Sequence, residues 1–166
     1  MVLRSFRRSN PRIFFVLSSR LCAFVVNPPN HHLNKAVIMK IKHNAEVPLN
    51  DVMMEGAAGC KVRWLVGEAD AAPNFAMRQF ELEPGGHTPR HFHPYEHEIF
   101  VLEGEGVIVD GEVQRPLRPG DVVLVSPDDV HQFRNVGSTP FKMLCLIPNS
   151  AADKTVTVVP ECGVEK

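Results

Sequence analysis

The feature that most constrains this chain is a succession of short apolar segments, each closed by a turn signal, from about residue 60 to residue 148. Segments such as Glu98–Leu102, Val122–Val125 and Phe141–Ile147 are separated by turn sequences, of which Asp110-Gly111 is a strong hairpin signal. Short strands at intervals of about 8–12 residues are typical of a β-sandwich or β-barrel. The sequence therefore predicts an all-β domain.

Composition supports this prediction. The 14 Pro and 11 Gly among 166 residues argue against a helical bundle, and the 44% hydrophobic content excludes a disordered chain. A net charge of -1 argues against nucleic acid as a partner, and no apolar run approaches the roughly 20 residues of a membrane helix. The four cysteines form no C-x-x-C pair. We therefore expect no membrane partner, a reducing compartment and a cytoplasmic location.

Charge divides the chain into two parts. Residues 1–38 hold six cations and no acid, whereas the rest of the chain holds 12 cations and all 19 acids. This break predicts a basic leader or disordered tail over residues 1–38 and one domain over residues 39–166. A start codon misassigned upstream of Met39, a transit peptide and a signal peptide are the alternatives for the leader, so organellar targeting stays open.

Two local features are predicted within the domain, the end of one strand and the conformation of one segment. The strand that begins at Phe75 is expected to end at Glu83, because Pro84-Gly85-Gly86 is a strong turn signal. The segment Met53–Gly59 is expected to form either a short helix or a loop.

Histidines are concentrated in one part of the domain. Five of the eight lie between residues 87 and 131, and His91 and His93 stand two residues apart. Residues i and i+2 of a strand share a face, so these two imidazoles would converge on one side of a sheet. Imidazole is a common ligand of Fe, Zn, Cu and Ni. The pattern predicts half of a metal site.

Two motifs in this region resemble those of the cupin superfamily. They read Gly85-x5-His91-x-His93-x3-His97 followed by Gly104, and Gly120-x6-Pro127-x3-His131-x3-Asn135. The resemblance covers about residues 60–148. It implies a single-domain cupin-type β-barrel, a double-stranded β-helix or jelly roll, with three metal ligands from the first motif and one from the second.

The third ligand of the first motif is usually Glu in this family, and both His97 and Glu98 stand near that position. The usual spacing of six residues before Gly104 favours His97, with Glu98 as the alternative. The block from His91 to Gly104, together with C-L-I-P near the end, resembles small single-domain manganese cupins with an all-histidine site. That resemblance implies His91, His93, His97 and His131 around one divalent transition metal, Mn first, with Fe and Zn as alternatives.

Strand alternation extends the prediction to the lining of the barrel. It places Phe133, Met143 and Cys145 inside with the ligands, and Arg78 inside from the strand that begins at Phe75. An inward Arg requires an anion or another acceptor. The opposite face of that strand, with Gln79 and Glu81, is expected to be solvated.

The predicted function is that of a small-molecule metalloenzyme performing oxygenase-like oxidation or Lewis-acid isomerisation or cyclisation, with no catalytic residue assigned. The alternatives are a non-catalytic, metal-dependent module that binds or senses a small ligand, and a barrel in which the metal is structural. Outward apolar side chains predict a homodimer formed through β-sheets; they are Phe100, Leu102, Leu144 and Leu146.

Overall fold

The computed structural model describes residues 39–160, so the predictions for residues 1–38 lie outside the described range. These residues form eleven strands: β1 (Asn50–Asp51), β2 (Ala58–Val66), β3 (Phe75–His87), β4 (His91–Phe92), β5 (His97–Glu103), β6 (Gly106–Asp110), β7 (Val113–Leu117), β8 (Val122–Val125), β9 (His131–Asn135), β10 (Phe141–Pro148) and β11 (Thr157–Val158). Three short 3-10 helices accompany them: Asn44–Glu46, Glu68–Asp70 and Asn149–Asp153. Within residues 39–160, no helix has the length and apolar character needed to cross a membrane.

The strands pair antiparallel throughout and curl into a barrel. The longest strand, β3, pairs with β2, β10 and β9, while β10 also pairs with β5 and β5 with β8. β9 joins β3 to β4 and β6, which brings the two motif regions onto neighbouring strands. The predicted all-β barrel is confirmed.

The core follows from the two-residue period of the strands. In β10, Phe141, Met143, Cys145 and Ile147 are buried while the residues between them are partly exposed. Alternate side chains of a strand point to opposite faces, so one face of β10 fills the barrel. The sequence prediction placed Met143 and Cys145 on this face.

The predicted end of β3 at Glu83 is wrong, because the strand continues to His87. Cys60 pairs with Leu82 but Ala58 pairs with His87, so β3 bulges between the two pairs. Gly85 in this bulge has a φ of +76°, a backbone conformation that residues with a side chain rarely adopt. The turn signal thus marks a bulge within a strand rather than a strand end.

The predicted solvated face of β3 is wrong at Gln79, which is buried. The segment before β1, which includes the 3-10 helix Asn44–Glu46, covers this face. In it the Asn44 side chain donates a hydrogen bond of 3.2 Å to Gln79 Oε1. The Arg63 side chain donates to the carbonyl of Val47 in the same segment. Of the two structures expected for Met53–Gly59, the chain forms a loop with a turn, and β2 begins before its end.

Candidate metal centre

Three strand starts and one connecting segment bring four histidines together. His97 and His131 are the first residues of β5 and β9, and His91 is the first residue of β4, where it pairs with His131. β4 ends at residue 92, so His93 follows this strand instead of sharing a face of it. One ligand nitrogen from each ring lies within 4.8 Å of the others. Glu98, the alternative third ligand, is exposed on β5.

Three of the rings are oriented by the backbone. Their Nδ1 atoms lie within hydrogen-bond distance of carbonyl oxygens, His91 with Pro89 at 2.8 Å, His93 with Tyr95 at 2.7 Å and His131 with Asp129 at 2.9 Å. A carbonyl oxygen only accepts, so Nδ1 carries the proton and Nε2 keeps its lone pair. His131 Nε2 is buried and has no hydrogen-bond partner in the part of the chain that the structure describes. These rings therefore present free lone pairs, which is the state in which histidine binds a metal.

His97 is held by side chains instead. Its Nδ1 lies 3.2 Å from Cys145 Sγ, and its Nε2 lies 2.6 Å from Nε2 of His93. A proton on Nε2 would donate to His93, whereas a proton on Nδ1 would donate to the Cys145 sulfur. Only the second arrangement leaves His97 Nε2 free for a metal. The sulfur is thus the acceptor that a metal-binding His97 requires.

Burial keeps the four imidazoles neutral. Desolvation is the main cause that lowers the pKa of His93 to about 4 and that of His131 to about 3, and the repulsion that a protonated His91 would exert contributes to both shifts. Desolvation is also the main cause that lowers the pKa of His91 and His97, and the Arg78 charge adds to it. Metal binding needs neutral imidazole, so protons compete little for this site at neutral pH.

The site opens onto a largely apolar cavity of about 340 Å³. All four predicted pocket residues lie in its lining: Arg78, Phe133, Met143 and Cys145. The lining also includes residues that were not predicted, among them Val52, Met54, Trp64 and Tyr95. Trp64 pairs with Arg78 across strands β2 and β3. Its place in the lining could be predicted only from the pairing of these strands, which the sequence does not give.

Among the described lining residues, Arg78 is the one permanent cation. Its Nη2 donates to Cys145 Sγ at 2.9 Å and lies 3.4 Å from Nδ1 of His97. Its guanidinium carbon lies 5.4 Å from the ring centre of Trp64 and 5.0 Å from that of Phe80. The centre therefore combines neutral metal-ligand candidates with one fixed positive charge held against aromatic faces.

Two known proteins of similar sequence or structure differ in what they do. A curated relative, the 1-methylthio-D-xylulose 5-phosphate methylsulfurylase of Rhodospirillum rubrum, is 32% identical over 78 residues, which are 47% of this chain. The match spans 49% of that enzyme, so the chain covers about half of its length. The polyketide cyclase RemF from Streptomyces resistomycificus is 29% identical with a TM-score of 0.69, over 76% of this chain and 89% of that chain.

Family membership rests on two further matches. A cupin 2 domain-containing protein from Halorhodospira halophila is 32% identical with a TM-score of 0.55, and the match covers 61% of this chain and 69% of that one. A family model described as a cupin domain matches residues 78–147, the stretch that carries the four histidines and Arg78. The chain therefore belongs to the cupin superfamily.

Proposed function

We propose that this chain binds one divalent transition metal ion through His91, His93, His97 and His131 and catalyses a Lewis-acid isomerisation or cyclisation of a small organic molecule. The observation that carries the proposal is the donor set, in which the described residues bring together four buried or half-buried imidazoles without a carboxylate. Neutral ligands leave the dication's charge uncompensated. A bound ion would supply Lewis acidity toward a substrate oxygen.

Mn is the metal that we propose first, on the resemblance to all-histidine manganese cupins, with Fe and Zn as alternatives. Imidazole nitrogens suit several first-row metals, so the donor atoms alone do not select one. Metal analysis of protein purified without added metal identifies the ion.

The chain's own residues would contribute binding and orientation. The backbone carbonyls of Pro89, Tyr95 and Asp129 hold three rings in the tautomer that ligation requires. Arg78 would orient a polar end of the substrate, while the apolar lining would exclude water from its body. Burial raises the pKa of Tyr95, so its hydroxyl stays protonated. The similarity to RemF, a polyketide cyclase, supports cyclisation as the reaction class.

The proposal is tested by product analysis in air and under nitrogen. Metal-loaded protein is incubated with a panel of small diketones and hydroxyaromatic ketones, and products are identified by mass spectrometry. We expect products of unchanged mass or mass less one water, formed equally without oxygen and absent with His97→Ala. Oxygen uptake coupled to turnover would support the oxidation alternative instead. Tight binding without any turnover would support the binding or sensing module.

We also propose a homodimer formed through one sheet surface, the β5–β8 face. It consists of Phe100, Leu102, Val122 and Leu124, which are all exposed in a single copy. Phe100 pairs with Val122, so their side chains lie on the same side of the sheet. A second copy of the chain would cover these apolar side chains and the free edge of β8.

A reducing, cytoplasmic location is part of the proposal. Cys60 and Cys145 are both free and buried, and free thiols are typical of proteins kept under reducing conditions. Burial raises the pKa of the Cys60 thiol to about 12 and raises that of Cys145, so both remain protonated and unreactive.

A further inference from the structure

Arg78 is a half-buried cation without a protein anion. Among residues 39–160, no carboxylate forms an ion pair with it; its Nη2 donates to Cys145 Sγ and lies 3.4 Å from Nδ1 of His97. Its Nε is buried and has no hydrogen-bond partner. Leaving a buried donor of a charged group unpaired is costly. Among these residues Nη1 forms no hydrogen bond, and the side chain is only half-buried, so this end of the guanidinium is available to a ligand.

The position of the guanidinium fits the recognition of an oxygen anion. It is packed near the rings of Trp64 and Phe80, which restrict its movement without neutralising its charge. A planar guanidinium offers donors in a fixed fork that matches carboxylate geometry. Because both rings also line the cavity, a ligand bound to Arg78 would place its body against aromatic surface.

Charges around Arg78 favour an anion on the histidine side. Among the described residues that line that cavity, the one carboxylate is that of Asp51, which is exposed and near Lys61. On the other side, Arg78 lines a second cavity that includes Glu68 and Asp70, and Asp70 is paired with a lysine. Within residues 39–160, the histidine side holds four neutral rings and no buried acid, so bound negative charge meets the least repulsion there.

We propose that Arg78 is the anion-binding residue of this cavity, and that the ligand is a small molecule with a carboxylate or enolate oxygen joined to an apolar, aromatic body. This inference rests on the proposed function for the role of the cavity and names the substrate class. The apolar lining contacts the aromatic body of the ligand, and the guanidinium binds its anionic oxygen. Neutral analogues of the same shape leave the guanidinium unpaired and bind more weakly.

The test compares benzoate with benzamide, a neutral molecule of almost the same shape. Binding to the full chain, stripped of metal with a chelator, is measured by calorimetry and by fluorescence of Trp64, the single tryptophan. We expect benzoate to bind about tenfold or more tightly than benzamide, the range for one hydrogen-bonded charge. Equal affinities for the two molecules would overturn the inference.

Variants assign the preference to Arg78. Arg78→Gln should lower benzoate affinity to that of benzamide and leave benzamide affinity unchanged, an outcome that a merely structural role would not produce. Arg78→Lys should retain part of the preference, because it keeps the charge but loses the fork. Arg115→Gln, which changes an exposed arginine outside this cavity, should match the native chain. A benzoate preference that persists in Arg78→Gln would contradict the proposal, and if that variant does not fold, the Arg78→Lys result decides.

Failure of this inference is distinguishable from failure of the proposed function. The measurement on metal-free protein tests the contribution of Arg78. It gives the ratio of benzoate affinity to benzamide affinity whether or not the histidines bind a metal. The same titration after Zn²⁺ loading then reads the contribution of the metal. A chain that binds no Zn²⁺ but prefers benzoate would refute the metal site and retain the anion site.

Discussion

At the scale of single residues, the four histidines differ in what holds them. Three donate from Nδ1 to backbone carbonyls, which no side-chain substitution removes, whereas His97 depends on the Cys145 sulfur. Sequence could indicate the histidines through their spacing and favour His97 over Glu98 through the distance to Gly104. It could not reveal their hydrogen-bond partners. The carbonyls that hold three of the rings lie only two residues away along the chain, but contact with them depends on the local backbone conformation, and the Cys145 sulfur meets His97 only in the folded barrel.

Replacing the sulfur should weaken the metal site. Cys145→Ala leaves Nδ1–H of His97 without an acceptor, and we expect about a tenfold loss of metal affinity, the lower end for such supporting contacts. Cys145→Ser restores an acceptor and should recover part of the loss. Affinity is measured by competition with a chromogenic chelator. Cys60→Ala, at another buried cysteine, is the control and should leave affinity unchanged; an equal loss in both alanine variants would contradict the positioning role.

The stability of the metal-free chain should fall in mild acid. The folded pKa values of His93 and His131, about 4 and 3, lie below the ordinary value of 6.5. Below pH 6.5 the unfolded chain therefore binds more protons than the folded chain, so the free energy of unfolding decreases as pH falls toward 4. The slope is at most about 1.4 kcal/mol per pH unit for each group.

Urea unfolding at pH 7, 6, 5 and 4 in the presence of chelator measures this slope. His131→Gln removes one of these two titrating groups and should flatten the profile. An unfolding free energy that stays constant from pH 7 to pH 4 in the native chain would contradict the assignment.

At the scale of secondary-structure elements, the sequence predicted β10 closely, whereas for β3 it predicted the start at Phe75 but not the end. The alternation of β10 depends only on its own residues, and Met143 and Cys145 are buried as that alternation predicts. The continuation of β3 through Pro84–Gly86 depends on its pairing with β2, and the burial of Gln79 depends on the segment around Asn44. Such contacts between distant parts of a chain leave little trace in a local pattern.

Gly104, the residue that follows β5, should tolerate no side chain. Gly104 has a φ of +81°, and a Cβ there would lie 2.8 Å from Phe141 Cα. We expect Gly104→Ala to lower the free energy of unfolding by about 2 kcal/mol or more, from backbone strain and steric overlap together. Gly111→Ala is the matched control, since its φ is +62° but no described residue other than its two chain neighbours has an atom within 4 Å of the added Cβ.

Chemical denaturation of both glycine variants separates the two contributions. The control should lose only about 1 kcal/mol, the cost of the left-handed backbone conformation. Equal losses in the two variants would mean that the contact with β10 adds nothing at Gly104.

At the scale of the whole molecule, the β5–β8 face is an apolar surface that a single copy leaves exposed. Val122 and Leu124 are 75% and 69% exposed on an edge strand. Leu124→Glu should shift the chain toward monomer in sedimentation at micromolar concentration, because a charge would be buried in the interface. Val113→Glu, which adds the same charge on β7, should leave the assembly unchanged. A native chain that sediments as a monomer would contradict the dimer.

The central claim is that this barrel holds a metal on four histidines, and metal analysis tests it most directly. The freshly purified native chain is analysed beside His97→Ala and Glu98→Ala, which change neighbouring residues that are buried and exposed, respectively. We predict close to one divalent transition metal ion per chain, lost in His97→Ala and kept in Glu98→Ala. A chain that holds no metal even after reconstitution, or that keeps its metal without His97, would contradict the account.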